Sequence, residues 1–207
     1  MLTFYHAPRS RSFSIFWLLE ELGEPYTIEL VDIRAEAGVP ESYRAIQPHK
    51  KVPAIVHDGT TVTERAAISL YLADAFPESD LAPALGDPMR AAYLTALVYT
   101  DAVLDPIIAT KALDISYKPG DVSFGSLADA VANLEKRLGA QDYAAGDRFT
   151  AADTQLGSAL HYGINIFGAL PRLPVFQAYL HPLLARPALQ QCMQKDEALA
   201  TQGSLKP

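Results

Sequence analysis

Two short segments carry residue types at a spacing that suits ligand chemistry. Gln47-Pro48-His49-Lys50-Lys51-Val52-Pro53-Ala54-Ile55 runs from a turn into a strand, and Thr63-Glu64-Arg65-Ala66-Ala67-Ile68 opens a helix. The first offers a backbone edge beside Pro53, to which an extended peptide can add itself as one more residue of strand. The second gathers a carboxylate, a guanidinium and the N–H groups of a helix start, where the helix dipole favours anions. Arg65 and those N–H groups suit a carboxylate, Glu64 suits an ammonium, and Lys50 and Lys51 suit a second carboxylate. Together they fit a small peptide carrying an amine and carboxylates. The competing reading is an ordinary solvated surface, since acids at helix starts and lysines on turns are common.

The elements that must position these residues follow from periodicity. Leu2-Thr3-Phe4-Tyr5 alternates as a short strand. Ala7-Pro8-Arg9-Ser10 is a loop, and Ile15, Leu18, Leu19 and Leu22 recur at helical spacing over 12–22, with Gly23 as the stop. A second strand spans 25–31, and 34–45 is irregular or weakly helical. Strands over 52–56 and 60–63 are joined by His57-Asp58-Gly59-Thr60, a hairpin signal. A helix follows over 66–76, with Ile68, Leu72 and Phe76 on one face. The order strand–helix–strand, then strand–strand–helix, implies a parallel pair with a crossover helix and an antiparallel addition.

Residues 79–88, rich in Pro, Gly and acids, read as a linker. Beyond it the period is helical, with helices expected over about 89–113, 123–139, 151–162, 174–184 and 187–200. The apolar run 94–113 carries Asp101, Asp105 and Lys111, so it reads as a buried helix and not a membrane span.

The chain has 207 residues, 49% hydrophobic and 20% charged, enough apolar material for a core and too little charge for wholesale disorder. The net charge of −7 argues against nucleic-acid binding, which needs a basic face, but leaves room for a locally positive site. The single cysteine, Cys192, excludes an intramolecular disulfide and a cysteine metal cluster. No histidine pair has metal-ligand spacing, so no metal is expected. His6, Arg9 and Arg11 interrupt any signal-peptide core.

Gly146-Asp147-Arg148-Phe149-Thr150-Ala151-Ala152-Asp153 adds a structural motif: Thr150 can cap a helix while Asp153 reaches back to the cap residue's N–H. With the element order, the Gln-Pro-x-x-x-Val-Pro segment and the Glu64-Arg65 helix start, this motif resembles the cytosolic glutathione S-transferases of bacterial type, over nearly the whole chain. The resemblance implies an α/β plus all-α fold: a thioredoxin-like domain over 1–78, the linker 79–88, and an all-helical domain over 89–207. It also implies a cytoplasmic homodimer with a detoxifying role. Glutathione would be the co-substrate, with no other cofactor, and a small apolar electrophile the second substrate.

The resemblance assigns roles residue by residue. The Val52-Pro53 bond is expected to be cis, with the Val52 backbone pairing with the cysteinyl part of glutathione. Glu64 and Arg65 would hold the γ-glutamyl end, and Lys50 and Lys51 the glycyl carboxylate. The family's thiol activator is Tyr, Ser or Cys just after the first strand. Here that leaves Tyr5, Ser10 and Ser12, with Ser10 as the assignment because it stands in the loop ahead of the first helix. Tyr5 matches the spacing of Tyr-type members counted back from Trp17, and Ser12 also suits a helix N-cap. A free thiol titrates at about 8.5, and one hydrogen bond to its charged form, roughly 1.5–3 kcal/mol, brings it to about 6.5–7.5. Two departures stand out: Lys50 and Arg65 occupy positions where the family usually has Gly and Ser or Thr.

The rival readings are a non-catalytic binding or carrier module, or a peroxidase, dehalogenase or isomerase that uses glutathione on the same scaffold. A nucleic-acid or translation-associated module conflicts with the acidic balance.

Overall fold

Alternation along β1 (Leu2–His6) buries Leu2, Phe4 and His6 and turns Thr3 and Tyr5 to the other side. In the computed structural model, which describes residues 1–203, β1 lies between β2 (Tyr26–Leu30) and β3 (Ala54–His57). The strand β4 (Thr60–Thr63) lies outside β3, giving the order β2-β1-β3-β4. β1 pairs in parallel with β2 across α1 (Phe13–Leu22), and β3 is antiparallel to both β1 and β4. Asp58 and Gly59 form the two-residue hairpin turn with φ of 46° and 82°. Positive φ at both positions is the geometry that an Asp-Gly pair favours. β3 starts at Ala54, later than expected, because Pro53 has no N–H to enter a ladder.

α1 buries Ile15, Phe16, Trp17, Leu18 and Leu19, and ends at Gly23 in the left-handed region with its N–H on the Leu19 carbonyl. That is the stop expected for a residue without Cβ. α2 (Arg65–Ala75) buries Ile68, Ser69, Leu72 and Ala73. Residues 34–45 are irregular apart from one short 3₁₀ turn, Glu41–Ala45.

The chain divides into two compact units, Met1–Ser79 together with the chain from Arg186 onward, and Asp80–Ala185. The final helix, α8 (Pro187–Gly203), therefore groups with the sheet, although it was expected with the helical half. Its docking on α1 has a physical cause. Leu189 and Cys192 are buried, Arg186 Nε meets Glu21 Oε1 at 2.6 Å, and Lys195 Nζ meets Glu20 Oε1 at 2.8 Å. The side chains of both glutamates are less than a tenth exposed, so each buried charge needs its partner.

The second unit is helical: α3 (Met89–Tyr99), α4 (Asp105–Ala112), α5 (Leu127–Leu138), α6 (Ala151–His161) and α7 (Pro174–Leu184). α3 and α4 were expected as one helix and are joined by a π-helical turn, Thr100–Leu104. Pro106 accounts for it: the residue has no N–H and its ring crowds the preceding turn. Met89–Ala112 is long and apolar enough to cross a membrane by length and composition alone. It buries Tyr93, Ala96, Leu97, Leu104, Ile107 and Ile108 and exposes Leu94 and Val98, so the expectation of a buried helix holds for one face only. A second π-helical turn, Tyr162–Ile166, follows α6.

The Thr150–Asp153 capping box forms as expected. Asp153 Oδ2 accepts from the Thr150 N–H at 2.8 Å and its hydroxyl at 3.1 Å, while Oδ1 accepts from Ala144 N–H at 2.7 Å and the Tyr179 hydroxyl at 2.9 Å. Burial pushes this carboxyl up to about 6, and the four donors pull against it.

Candidate functional site

The strand register brings the candidate segments to one end of the sheet. Tyr5 pairs with Ala54, and Ala54 with Thr63. The loop leaving β1, the Val52-Pro53 entry to β3 and the Glu64-Arg65 start of α2 therefore emerge side by side. Chain reversal between antiparallel neighbours produces this, and it was implicit in the element order.

At this end, the Val52-Pro53 peptide bond is cis. Val52 is half-buried, outside the strand, and its N–H and C=O take no partner among the described residues. An open backbone pair in line with β3 is an edge to which one extended residue can add. The segment before it is held by Tyr43, whose hydroxyl donates to the Lys51 carbonyl at 3.0 Å. Lys50 adopts φ 54°, the left-handed conformation for which glycine is the usual residue. Its amine is occupied by the Val39 carbonyl at 2.9 Å and Glu41 at 3.1 Å. Lys51 is exposed. Arg44 and Lys50 together hold the Glu41 carboxyl down at about 2.

Glu64 stands in a sparsely populated conformation, φ 67° and ψ 127°, of a kind that costs on the order of 1–3 kcal/mol in a non-glycine residue. Its carbonyl accepts from Ile68 N–H at 2.8 Å, and its exposed carboxylate lies 3.4 Å from Gln47 Nε2. Arg65 is the first residue of α2 and is buried, which removes the reading of it as a solvated charge. Gln47 is buried too, and its Oε1 accepts from His49 N–H at 2.8 Å. It ties the 47–53 turn to Glu64.

The three hydroxyl candidates separate. Tyr5 lies on the sheet face away from His6, its ring 5.5 Å from that of Tyr43. Ser10 and Ser12 lie together, with their Oγ atoms 2.8 Å apart, and Ser12 N–H also donates to Ser10 Oγ at 3.2 Å. Ser12 occupies the N-cap position of α1 but makes no capping bond, which corrects its reading as a cap. Its Oγ instead lies 2.8 Å from His6 Nδ1 and 3.3 Å from Ala7 N. The imidazole outcompetes the helix N–H groups for that oxygen. His6 is wholly buried between the rings of Phe4 and Phe16, and its Nε2 lies 2.9 Å from Asp196 Oδ1 on α8. The other oxygen, Oδ2, accepts from Arg9 N–H at 3.0 Å. Sequence reasoning missed both His6 and Asp196, which lie 190 residues apart. The one available signal was a histidine on the buried face of an alternating strand, two residues past Phe4.

In the second unit, Tyr93 is wholly buried as a core residue, whereas Ile166 and Phe167 are exposed, with Phe167 against the Tyr162 ring at 6.0 Å.

Comparison with known proteins points to one family. Residues 10–75 match the family model described as the glutathione S-transferase N-terminal domain. The chain is 31% identical over 175 residues to glutathione S-transferase 3 of Schizosaccharomyces pombe, covering 75% of this chain and 72% of that one. It is 27% identical over 197 residues to glutathione S-transferase GstA of Escherichia coli O157:H7, covering 91% and 96%. Among solved structures, a glutathione transferase from Methylococcus capsulatus superposes with a TM-score of 0.79 at 26% identity, covering 96% of this chain and all of that one. A sphingomonad glutathione S-transferase complexed with glutathione superposes with a TM-score of 0.74 at 27% identity, covering 94% and 98%.

Proposed function

The chain belongs to the glutathione S-transferase family, and on that premise we propose how its sheet end binds glutathione and activates the thiol. The protein is a glutathione transferase: it presents the glutathione sulfur as a thiolate to an electrophile, forming a carbon–sulfur bond as the leaving group departs. In the proposed pose the cysteinyl residue of glutathione adds to the open Val52 backbone beside Pro53, as a single residue of β-augmentation. The γ-glutamyl carboxylate sits at the N-terminus of α2 with Arg65, and its ammonium meets Glu64. Lys51 reaches the glycyl carboxylate.

Ser10 is the proposed thiol partner. Its hydroxyl leads the loop out of β1, at the same sheet end as Val52, and a donor there stabilises the thiolate over the thiol. Tyr5 points to the other face of the sheet and is left with a bystander role near the ligand. Rate then comes from thiolate population and from holding the sulfur against the second substrate. The second substrate in this proposal is a small apolar electrophile.

The observation that carries the reading is the open Val52 backbone beside the Glu64-Arg65 helix start. Two assays test it together: retention on immobilised glutathione, and glutathione-dependent loss of an activated aryl halide. Retention with turnover is the expected result. Retention without turnover would favour a carrier, and no retention would remove the binding mode.

The same proposal includes a cytoplasmic homodimer. Leu94 and Val98 lie one turn apart on α3 and are 37% and 58% exposed, an apolar stripe of the kind that a second copy covers. Light scattering should give twice the chain mass, and charged residues at both positions should halve it.

A further inference from the structure

Four side chains form an unbroken hydrogen-bonded line that starts at the proposed thiol partner and ends in the core. Ser10 Oγ to Ser12 Oγ is 2.8 Å, Ser12 Oγ to His6 Nδ1 is 2.8 Å, and His6 Nε2 to Asp196 Oδ1 is 2.9 Å. His6 and Ser12 are wholly buried, Ser10 and Asp196 nearly so. Such a line would be excessive if Ser10 only had to offer one hydrogen bond.

We propose that this line is a proton relay in which His6, held by Asp196, takes up the proton that leaves the glutathione thiol. The inference rests on the assignment of Ser10 as the thiol partner.

Donor and acceptor bookkeeping sets the direction of the line. Asp196 Oδ1 is an acceptor, so His6 Nε2 carries a hydrogen. Nδ1 of the neutral ring is then the acceptor, and the Ser12 hydroxyl donates to it at 2.8 Å in preference to the Ala7 carbonyl at 3.3 Å. Ser12 Oγ keeps lone pairs, and Ser10 donates into one of them. Ser10 Oγ accepts from Ser12 N–H at 3.2 Å, and the same oxygen is the proposed acceptor of the incoming S–H. In the resting line every hydroxyl therefore points inward.

Thiol ionisation reverses the line without leaving any atom short. The S–H bond breaks and its proton bonds to Ser10 Oγ. Ser10's own hydrogen passes to Ser12 Oγ, and that of Ser12 passes to His6 Nδ1. Each serine ends with one hydrogen, the ring ends as an imidazolium, and the sulfur keeps the electron pair. Ser10 now points outward and donates to the thiolate. No net charge enters the site, because a thiolate and an imidazolium appear together.

Asp196 is the positioning residue: it fixes the ring tautomer and faces the positive charge, as the carboxylate of a Ser-His-Asp triad does. Phe4 and Phe16, whose rings pack on the imidazole, are apolar. Cys192 and the Glu20–Lys195 pair lie on the same α1–α8 seam, and Arg9 directs its guanidinium to Glu197. The docking of α8 onto α1 thus has a chemical consequence, since it delivers Asp196 to β1.

The test is nitrogen-15 NMR of the histidine rings in the full-length protein, with thiolate absorbance followed in the same samples as glutathione is added at pH 7. The His6 ring, identified by its loss in His6→Gln, should change from the neutral Nε2–H pattern to the imidazolium pattern in step with thiolate formation. Thiolate formation with His6 neutral throughout, or already an imidazolium before glutathione, overturns the relay. In Asp196→Asn the ring should take the Nδ1–H tautomer, and the thiolate signal at pH 7 should fall to that of Ser10→Ala. A folded Asp196→Asn with the wild-type signal also overturns it. Ser10→Ala keeps the two readings apart: a full thiolate signal in that variant refutes the Ser10 assignment, whereas a lost signal with an unresponsive His6 in the wild type refutes only the relay.

Discussion

Replacing Ser10 with alanine should change activity in a way that depends on pH, and the dependence identifies the mechanism. The hydroxyl is nearly buried, is fixed by Ser12 on two sides, and emerges at the sheet end beside the Val52-Pro53 bond. If it donates to the thiolate, the bond is charge-assisted and worth roughly 1.5–3 kcal/mol. At about 1.4 kcal/mol per pKa unit, the bound thiol titrates at about 6.5–7.5 with Ser10 and about 8.5 without it. At pH 7 the thiolate fraction then falls from about 24–76% to about 3%, a roughly 8- to 25-fold loss. At pH 9.5 both proteins hold mostly thiolate and their rates should converge. Initial rates with a fixed electrophile, measured from pH 6 to 9.5 at saturating glutathione, give the comparison. An equal loss at pH 7 and pH 9.5 would mean that Ser10 shapes the site and does not set thiolate population. No loss at either pH, with Tyr5→Phe inactive, would transfer the role to Tyr5.

Three further predictions follow from single contacts. Arg65→Lys keeps the charge but loses the guanidinium fork, so glutathione affinity by calorimetry should fall about tenfold or more if a charge-assisted bond of roughly 1.5–3 kcal/mol is lost; unchanged affinity would place Arg65 outside the ligand site. Thr150→Ala removes a helix cap and one donor to the Asp153 carboxylate, together about 2 kcal/mol, or about 4–8 °C in Tm for a chain of this size. Because burial raises Asp153 to about 6, the stability it contributes is full below its unfolded value near 3.8 and is lost as pH rises through about 6. Without the Thr150 donor the folded carboxyl is raised further, so the gap between wild type and Thr150→Ala should stay constant up to about 6 and widen as pH rises above it, and a gap constant throughout would contradict the argument. Glu41 has the opposite sign: held down to about 2 by Arg44 and Lys50, it contributes above about 4.5 and loses that contribution as pH falls through about 2. Carboxyl carbon NMR should show its low titration rise toward the ordinary range in Lys50→Ala.

What was legible in the sequence was local. Asp58-Gly59 specified its own hairpin because the turn needs positive φ at two successive residues, and two adjacent residue types announce that need. The Thr150–Asp153 box spans four residues, and its hydrogen bonds close within one helical turn. The cis Val52-Pro53 bond and the Glu64-Arg65 helix start were reached through a family resemblance more than through spacing. The contacts that were not legible are long-range. Nothing near His6 announces a carboxylate 190 residues away. The periodicity of α8 marks its apolar face without saying which unit that face will meet. Ser12 misled for a related reason: position alone made it a cap, and tertiary competition from His6 redirected its oxygen. The π-helical turn before α4 was readable in principle from Pro106, but apolar periodicity runs through it unbroken.

The central claim is that this protein holds glutathione as a thiolate. An ultraviolet difference titration of the bound complex, following thiolate absorbance against pH, tests it most directly. The account predicts thiolate persisting below neutral pH, with a midpoint near 6.5–7.5. Binding with the midpoint left at about 8.5 would contradict it.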